Sequence, residues 1–275
     1  MDTILFHTII DPFIQYGFLQ RAFIAGIFIA SACAILGVFL ILRRDSMIGH
    51  GLAHISFAGI ALGLFLNVLP LVVALVVAVV LAWMIMMIKE KAGVYGDTAI
   101  AIFSSFGLAV GILLASLGRN FNVDLFGYLF GEILAIGPIE VVLSLLLAIA
   151  VILLVIMQYH KFLYITFDRE SAKVAGIKVR RVDMYITVLT AITIVLGMKV
   201  VGILLVSALV VIPAAAGLQA ANNFKTAIWL STGVSIFSVT AGLVLSYYLD
   251  LPASGVIVII NFLIFGLFFG CKYLK

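Results

Sequence analysis

The sequence predicts an all-α membrane protein that crosses the bilayer eight or nine times. Of its 275 residues, 65% are apolar or aromatic and only 10% are Asp, Glu, Lys or Arg, whereas an average soluble domain is about 25% charged. The mean hydropathy is +1.36, and the apolar residues fall into long runs. So few charged residues cannot coat a soluble globule, which excludes soluble proteins and leaves a polytopic membrane protein.

The long apolar runs define the candidate spans, because a transmembrane helix needs about 20 mostly apolar residues. Two pairs of runs adjoin, around Pro70 and around Lys199, so one of these segments is a half-helix or a re-entrant piece if only eight spans cross. Residues 121–137 are apolar but interrupted by two acids and two glycines, which predicts short helices at the membrane surface. The candidate spans are 17–42, 50–66, 69–88, 97–117, 138–160, 183–198, 200–220, 225–249 and 253–271.

Lysine and arginine are distributed unevenly between the two sides that these spans define. If the 161–183 loop is cytoplasmic, thirteen of the 16 basic residues lie inside and three outside, a strong positive-inside asymmetry. The C-terminus is then cytoplasmic, whereas the N-terminus is outside with nine crossings and inside with eight. The inner set is Arg43, Arg44, Lys89, Lys91, Lys161, Arg169, Lys173, Lys178, Arg180, Arg181, Lys225, Lys272 and Lys275, and the outer set is Arg21, Arg119 and Lys199.

The chain is expected to form one integral domain over residues 1–275, because no Pro- or Ser-rich linker divides it. We expect no secretory signal in residues 1–16, which lack a basic region and a small-residue cleavage site. Cys33 and Cys271 make neither a disulfide framework nor a CxxC metal site and are expected to be small apolar packing residues. The net charge of +4 is explained by the basic residues expected on the inner side of the membrane, so it predicts no nucleic-acid partner.

Two histidines form the first polar group inside an apolar run. On a helix, His50 and His54 lie at i and i+4, so their imidazoles share one face about 6 Å apart. That spacing suits two nitrogen ligands on one divalent transition metal, and ionisable groups inside a membrane are usually functional. The alternative is that both rings only form hydrogen bonds with neighbouring helices.

The same segment argues against a zinc hydrolase. A zinc protease helix has the form HExxH, in which the Glu is the general base. Here the order is His50-Gly51-Leu52-Ala53-His54, with Gly51 at the position of the Glu. The general base is missing, so the pattern favours metal binding over metal-assisted hydrolysis.

A second polar group follows the fifth candidate span. Acids and bases alternate with small apolar residues from Thr166 to Ile177, which predicts a short amphipathic helix with Gly176 as its C-cap. An ordinary solvated loop between two spans explains these charges equally well. The sharper interpretation is a docking helix that enters a groove on a cytoplasmic partner.

Three further positions are weaker candidates for a permeation pathway or gate. Asp97 opens a helix after a glycine and is as typical of an N-cap as of a pathway residue. Glu132 lies on the outer side in this topology, where a plain interfacial acid is the commoner explanation. Pro213 interrupts an apolar run, and such breaks expose backbone carbonyls beside a cavity or simply kink a packed helix.

Five ordered segments resemble one transporter family over about residues 17 to 271. The segment MIGHGLAHISFAGIALG resembles the second-helix motif of the zinc/manganese permease family of ABC importers, and FDRESAKVAGIKVRRVD resembles that family's cytoplasmic coupling helix. KVVGILLVSALVVIPAAAG has its Ser and Pro at the family's positions, here Ser207 and Pro213. FGYLFGEILAI and GDTAIAIFSSFGLAVGILL also follow the family pattern.

The resemblance implies a membrane subunit and not an enzyme. Permeases of this family work as pairs of copies bound to two cytoplasmic ATP-binding cassette ATPases, and they receive metal from an extracytoplasmic binding protein. The chain has no GxxxxGK[ST] phosphate loop, which agrees with ATP hydrolysis by a separate partner. A multi-pass location in a prokaryotic plasma membrane, surrounded by lipid, and import as the direction follow from the resemblance alone.

The resemblance also assigns roles to residues. His50 and His54 would face the translocation path, with Asp97, Glu132, Ser207 and Pro213 as weaker pathway candidates. The coupling helix would span residues 167–177, with Phe167, Asp168, Glu170, Ala172 and Gly176 as its contact positions. Many family members have Asp where this chain has His50, and imidazole suits zinc whereas carboxylate suits manganese. We therefore expect zinc as the cargo, with manganese or iron as alternatives, and no permanently bound cofactor.

Two other classes of protein stay open on the sequence. A secondary cation transporter would need no ATPase and would carry charged pairs deep in several spans, which the sequence does not indicate. An intramembrane metalloenzyme, such as a protease or a lipid transferase, would need an acid or base near the histidines. ABC permeases for siderophores or cobalamin share a coupling helix but usually lack the paired histidines.

Overall fold

The apolar runs fold into helices, and the break points between runs become short turns. The computed structural model describes residues 16–91, 96–117, 127–131 and 136–273. The helices are α1 (Gly17–Leu42), α2 (Met47–Phe65), α3 (Pro70–Lys91), α4 (Gly96–Leu117), α5 (Pro138–Phe167), α6 (Arg169–Val174), α7 (Val179–Val201), α8 (Ile203–Ala220), α9 (Phe224–Leu249) and α10 (Ala253–Tyr273).

Nine of the helices in the described part of the chain are long and apolar enough to cross a bilayer. The short exceptions are α6 and a single helical turn over 127–130, which lies in the segment 121–137 where short helices are expected; residues 121–126 and 132–135 lie outside the described part. The prediction of an all-α membrane protein is confirmed, and the upper of the two expected span numbers fits the helices. Nine crossings with the α6 side cytoplasmic correspond to the expected alternative in which the N-terminus is outside and the C-terminus inside. The sidedness itself stays a prediction.

Several boundaries differ from those expected. Helix α2 starts at Met47, which places His50 within its first turn. Helix α5 has 30 residues and continues to Phe167, so it is about 45 Å long and extends to the start of α6. The break expected at Lys199 lies at Gly202, whose φ of +88° is open to glycine and strained for other residues.

Helices α1 and α7 form the centre of the bundle. Helix α1 packs against α5, α7, α8 and α9, and α7 packs against α1, α2, α3, α5 and α8. Small residues let α1 approach its neighbours closely: a Cβ on Gly37 would lie 1.8 Å from the carbonyl oxygen of Val210 in α8. Close helix packing through small residues replaces the hydrophobic driving force that lipid does not supply.

Ion pairs connect the helix ends. Lys199, near the end of α7, pairs with Glu140 in the first turn of α5, at the end of the bundle expected to be outside. At the opposite end, Lys89 of α3 pairs with Asp45 in the turn between α1 and α2. Charges at these levels reach the interface with water, where they cost far less than at mid-bilayer.

Candidate metal site and coupling segment

The two histidines of α2 lie against each other. Their Nε2 atoms are 3.1 Å apart, and the rings meet edge to face with centroids 4.5 Å apart and an interplanar angle of 89°. His50 is exposed and His54 is half-buried. The i, i+4 spacing has therefore brought two ring nitrogens to one point on an accessible helix face, as the sequence predicts.

Glycines on α2 and α4 set which face stays accessible. A Cβ on Gly51 would lie 2.4 Å from Cγ2 of Ile100, and a Cβ on Gly107 would lie 3.0 Å from Cα of Ile55, so α4 packs closely on α2. Gly49 lies against the Val210 side chain of α8. With these faces covered, the open side of α2 is the one that carries the histidines.

This geometry can hold one metal ion through two nitrogens. At a typical Zn–N distance of about 2.05 Å, nitrogens 3.1 Å apart would subtend about 98° at a shared ion, between the octahedral and tetrahedral angles. Within the described ranges, no third His, Cys, Asp or Glu joins the pair. The described part of one copy therefore offers two ligands at this point, on a side of α2 that is open.

The weaker pathway candidates do not join this pair. Asp97 lies in the first turn of α4 and is exposed; an acid there favours the helix dipole. Ser207 is half-buried and donates its hydroxyl to the Leu204 carbonyl at 3.1 Å, and Pro213 is buried inside α8. Glu132 lies outside the described residues. A pathway role for these four stays a prediction.

The expected coupling segment is a helix of six residues, Arg169–Val174, shorter than the 167–177 predicted. Phe167 is the exposed last residue of α5. Asp168 ends α5 and caps α6: its carboxylate accepts a hydrogen bond from the Ser171 amide at 2.9 Å. Hydrogen bonding by the Ser171 side chain, and next by its amide, lowers the pKa of Asp168 below its ordinary value, so the cap is charged at neutral pH.

One face of α6 is anchored and the other is free. Ala172 is fully buried, whereas Glu170 is exposed and pairs with Lys173 at 2.8 Å. Gly176 follows the helix with a φ of +79°, which fits its expected role in ending the helix. An exposed short helix with a buried small residue beneath it suits a contact surface for another protein, and the coupling role stays a prediction.

Sequence reasoning did not identify the acid that fixes α6 to the bundle. Asp183 of α7 is buried and forms ion pairs with both Arg43 at the end of α1 and Arg169 at the start of α6. The available signal was an acid within the first turns of an apolar span. Its partners could not be read from the pattern, because they lie on two other elements.

The chain resembles known transport proteins over nearly its whole length. The model of the ABC 3 transport family matches residues 15–272. The High-affinity zinc uptake system membrane protein ZnuB of Haemophilus influenzae is 32% identical over 253 residues, with 92% of this chain and 97% of the relative covered. The Manganese import system permease protein ScaB of Streptococcus gordonii is 33% identical, with 93% of each chain covered.

A solved structure agrees with the fold. The complex titled PsaBC from Streptococcus pneumoniae in complex with Fab contains a chain that superposes with a TM-score of 0.86 at 31% identity, with 96% of this chain and 95% of that chain covered. The match therefore supports the helical arrangement over almost the whole chain.

Proposed function

The chain belongs to the ABC 3 transport family, and we propose that it is the membrane permease subunit of an ATP-driven importer of a divalent transition metal. The observation that carries the proposal is the pair of Nε2 atoms 3.1 Å apart on the open face of α2. The relatives named for zinc and for manganese transport support the cargo class. ATP hydrolysis belongs to a separate cytoplasmic ATPase, and an extracytoplasmic binding protein delivers the ion.

Two copies of the chain form the transport unit, and the ion passes between them. Each copy supplies two nitrogens and leaves one side of its site open, so two-fold symmetry would bring together four imidazoles from two copies. Nitrogen ligands in that number suit tetrahedral zinc. Because the two halves belong to different subunits, separating them releases the ion, and a transient site of this kind does not trap its cargo.

Zinc is the favoured cargo on ligand chemistry. Imidazole suits zinc, copper and nickel, whereas manganese prefers carboxylate and other oxygen ligands. The relatives do not decide the question, since one named for zinc and one named for manganese are 32% and 33% identical to this chain. The argument therefore rests on His50 and His54 alone.

Alternating access follows from the position of α6. Closure of two ATPase subunits on ATP would push the exposed surface around α6, where Phe167 at the end of α5 and Val174 at the end of α6 are 71% and 90% exposed. Asp183 joins α6 to the end of α1 and the start of α7. Movement of α6 would thus be passed to α7, which packs against α2, the helix that carries the histidines.

The packing of Gly51 argues against the metalloenzyme alternative. A Cβ at this position would lie 2.4 Å from Cγ2 of Ile100, so α4 occupies the space that the catalytic Glu of an HExxH helix would need. The ion pairs that the structure describes lie near helix ends, whereas a secondary cation transporter is expected to carry such pairs deep in its spans.

Radiolabelled metal uptake tests the proposal. Vesicles containing the permease with its ATPase and binding protein are supplied with ATP and with zinc or manganese, each competed by the other. The His50→Ala/His54→Ala variant should lose zinc uptake while the ATPase still copurifies with it. The matched control is His160→Ala, an exposed histidine at the far end of α5, which should transport normally.

Each outcome has a defined meaning. Normal zinc uptake by the double variant would exclude the histidines from the path. Manganese-selective uptake would keep the permease but overturn the zinc preference. Uptake that needs no ATPase would favour the secondary transporter, and uptake of neither metal by an assembled complex would reject the metal cargo.

A further inference from the structure

A charged cavity lies beside α6, and neither histidine of the pair is among its lining residues. Its volume is about 550 Å³, and its walls come from the end of α1, the α1–α2 turn, the start of α2, α3, α4, α6 and the start of α7. Six basic and two acidic side chains line it, a net charge of six minus two, or +4. The acids are Asp45 and Asp183, and the bases are Arg43, Lys89, Arg169, Lys173, Lys178 and Arg180.

Both lining acids are already engaged by bases of the same cavity. Asp45 pairs with Lys89, and Asp183 is shared by Arg43 and Arg169, so one carboxylate faces two guanidiniums. Burial lowers the pKa of Arg43 to about 10. The negative charge of Asp45 opposes this shift, whereas the positive charge of Arg169 adds to it. A further anion in the cavity would offset this crowding of positive charge.

The level of the cavity in the membrane restricts the anion. The lining bases belong to the cytoplasmic set, so the cavity lies at the depth of the inner-leaflet headgroups. Basic pockets between helices at this level bind anionic lipid headgroups. Helix α3 continues from the cavity into an exposed apolar strip that includes Val76, Val80 and Trp83, which suits acyl chains beside the protein.

We propose that this cavity binds the phosphate headgroup of an anionic phospholipid from the cytoplasmic leaflet. The headgroup would lie against Arg169 and Lys173 of α6, so the lipid would brace the segment that we propose as the ATPase contact. The binding site itself depends only on the cavity and its charges, and it stands whether or not the chain transports a metal.

The two tryptophans of the sequence allow a direct test. Trp83 lies one helical turn from Met86, a lining residue, whereas Trp229 is an exposed residue one turn after Lys225 on α9. The full chain is reconstituted as a Trp229→Phe variant, which leaves Trp83, and as a Trp83→Phe variant, which leaves Trp229. Brominated phosphatidylglycerol in phosphatidylcholine vesicles, and the reverse mixture, then quench the remaining tryptophan.

Quenching at Trp83 should show a preference for phosphatidylglycerol of about tenfold or more, with little preference at Trp229. A basic side chain near a membrane surface changes anionic-lipid affinity about fivefold. Lys173→Gln with Lys178→Gln should therefore remove most of the preference. The matched control, Lys161→Gln with Lys225→Gln, removes two cytoplasmic lysines that do not line the cavity and should keep it.

Three results would overturn the proposal. Equal quenching by both lipids at Trp83 would show that the cavity does not select the anionic lipid, and acidic groups of the ATPase partner would then be the better occupant. Loss of the preference when excess inorganic phosphate is added would identify a free-phosphate site. An equal loss of the phosphatidylglycerol preference in the Lys161→Gln/Lys225→Gln control would show that the preference comes from the general charge of the cytoplasmic surface and not from the cavity. None of these readouts depends on metal uptake.

Discussion

Replacing Asp183 with Asn should destabilise the permease strongly. The Arg43 and Asp183 side chains are only 6% and 11% exposed, and the Arg169 side chain is 42% exposed. Removing one partner of a buried pair costs about 3–5 kcal/mol because the other charge stays buried. Arg169 can turn to water, so loss of its pair adds about 1 kcal/mol at most. Because the new Asn side chain would keep a polar contact with Arg43, we expect the free energy of unfolding to fall by about 3 kcal/mol.

The two cysteines provide the assay. Cys33 is buried and Cys271 is exposed, so a Cys271→Ser background leaves one thiol that a fluorogenic reagent reaches only on unfolding. At roughly 2 °C per kcal/mol for a chain of this size, Asp183→Asn should lower the melting temperature by about 6 °C. Glu170→Gln breaks the exposed pair with Lys173 and should leave the melting temperature within about 2 °C of the parent.

A paired substitution separates charge burial from packing. Arg43→Met with Asp183→Leu removes both buried charges and should recover most of the stability that Asp183→Asn loses, because desolvation of the pair is removed with its attraction. Unchanged melting of Asp183→Asn, or an equal fall for Glu170→Gln, would refute the assignment of Asp183 as the buried connection between α1, α6 and α7.

Three other changes follow from single contacts. Gly37→Ala should cost about 3 kcal/mol in the same thiol assay, because its Cβ would lie 1.8 Å from the Val210 carbonyl oxygen; Gly233→Ala, where nothing lies within 4 Å, should be neutral or slightly stabilising. Asp168→Ala should raise the number of ATP molecules hydrolysed per metal ion transported, whereas Asp168→Asn keeps the helix cap and should not. The pKa of Asp168 in the folded protein lies below its ordinary value, so the cap stabilises α6 fully above the ordinary pKa and is lost only as pH falls through the folded pKa. Coupling should therefore be constant from about pH 6 to 8. Gly176→Val should weaken coupling through strain at φ +79°, and coupling equal to wild type would reject a fixed α6 terminus.

The sequence could predict the elements whose signals are local. Spans follow from the length of apolar runs, and the facing of His50 and His54 follows from the helical repeat, so both required only neighbours in the chain. The start of α2 at Met47 and the break at Gly202 were placed wrongly by a few residues, because hydropathy does not record where a turn closes. The turn between α7 and α8 is formed by Gly202 with a positive φ. A positive φ is a property of backbone conformation, which a hydropathy pattern does not report.

Contacts between distant segments could not be predicted in the same way. Asp183 is one acid among several near helix ends, and nothing in its own segment indicates Arg43 as a partner. Gly37 is one of 24 glycines, and only the path of α8 reveals that a methyl group there would meet a backbone oxygen. Long-range pairing of this kind depends on how the helices pack.

Among the residues that the structure describes, one copy supplies an incomplete ligand set, and this bears on the proposed mechanism. A resident metal site needs three or four protein ligands held in fixed geometry, and such a site binds too tightly to release an ion in each cycle. His50 and His54 supply two nitrogens on an open face, and completion by a second copy would make affinity depend on how closely the two copies approach. The α6 segment, tied to the bundle through buried Asp183, lies where an ATPase could change that approach. In the proposed mechanism, weak binding by each half and strong binding by both would convert a rigid-body movement into capture and release of the ion.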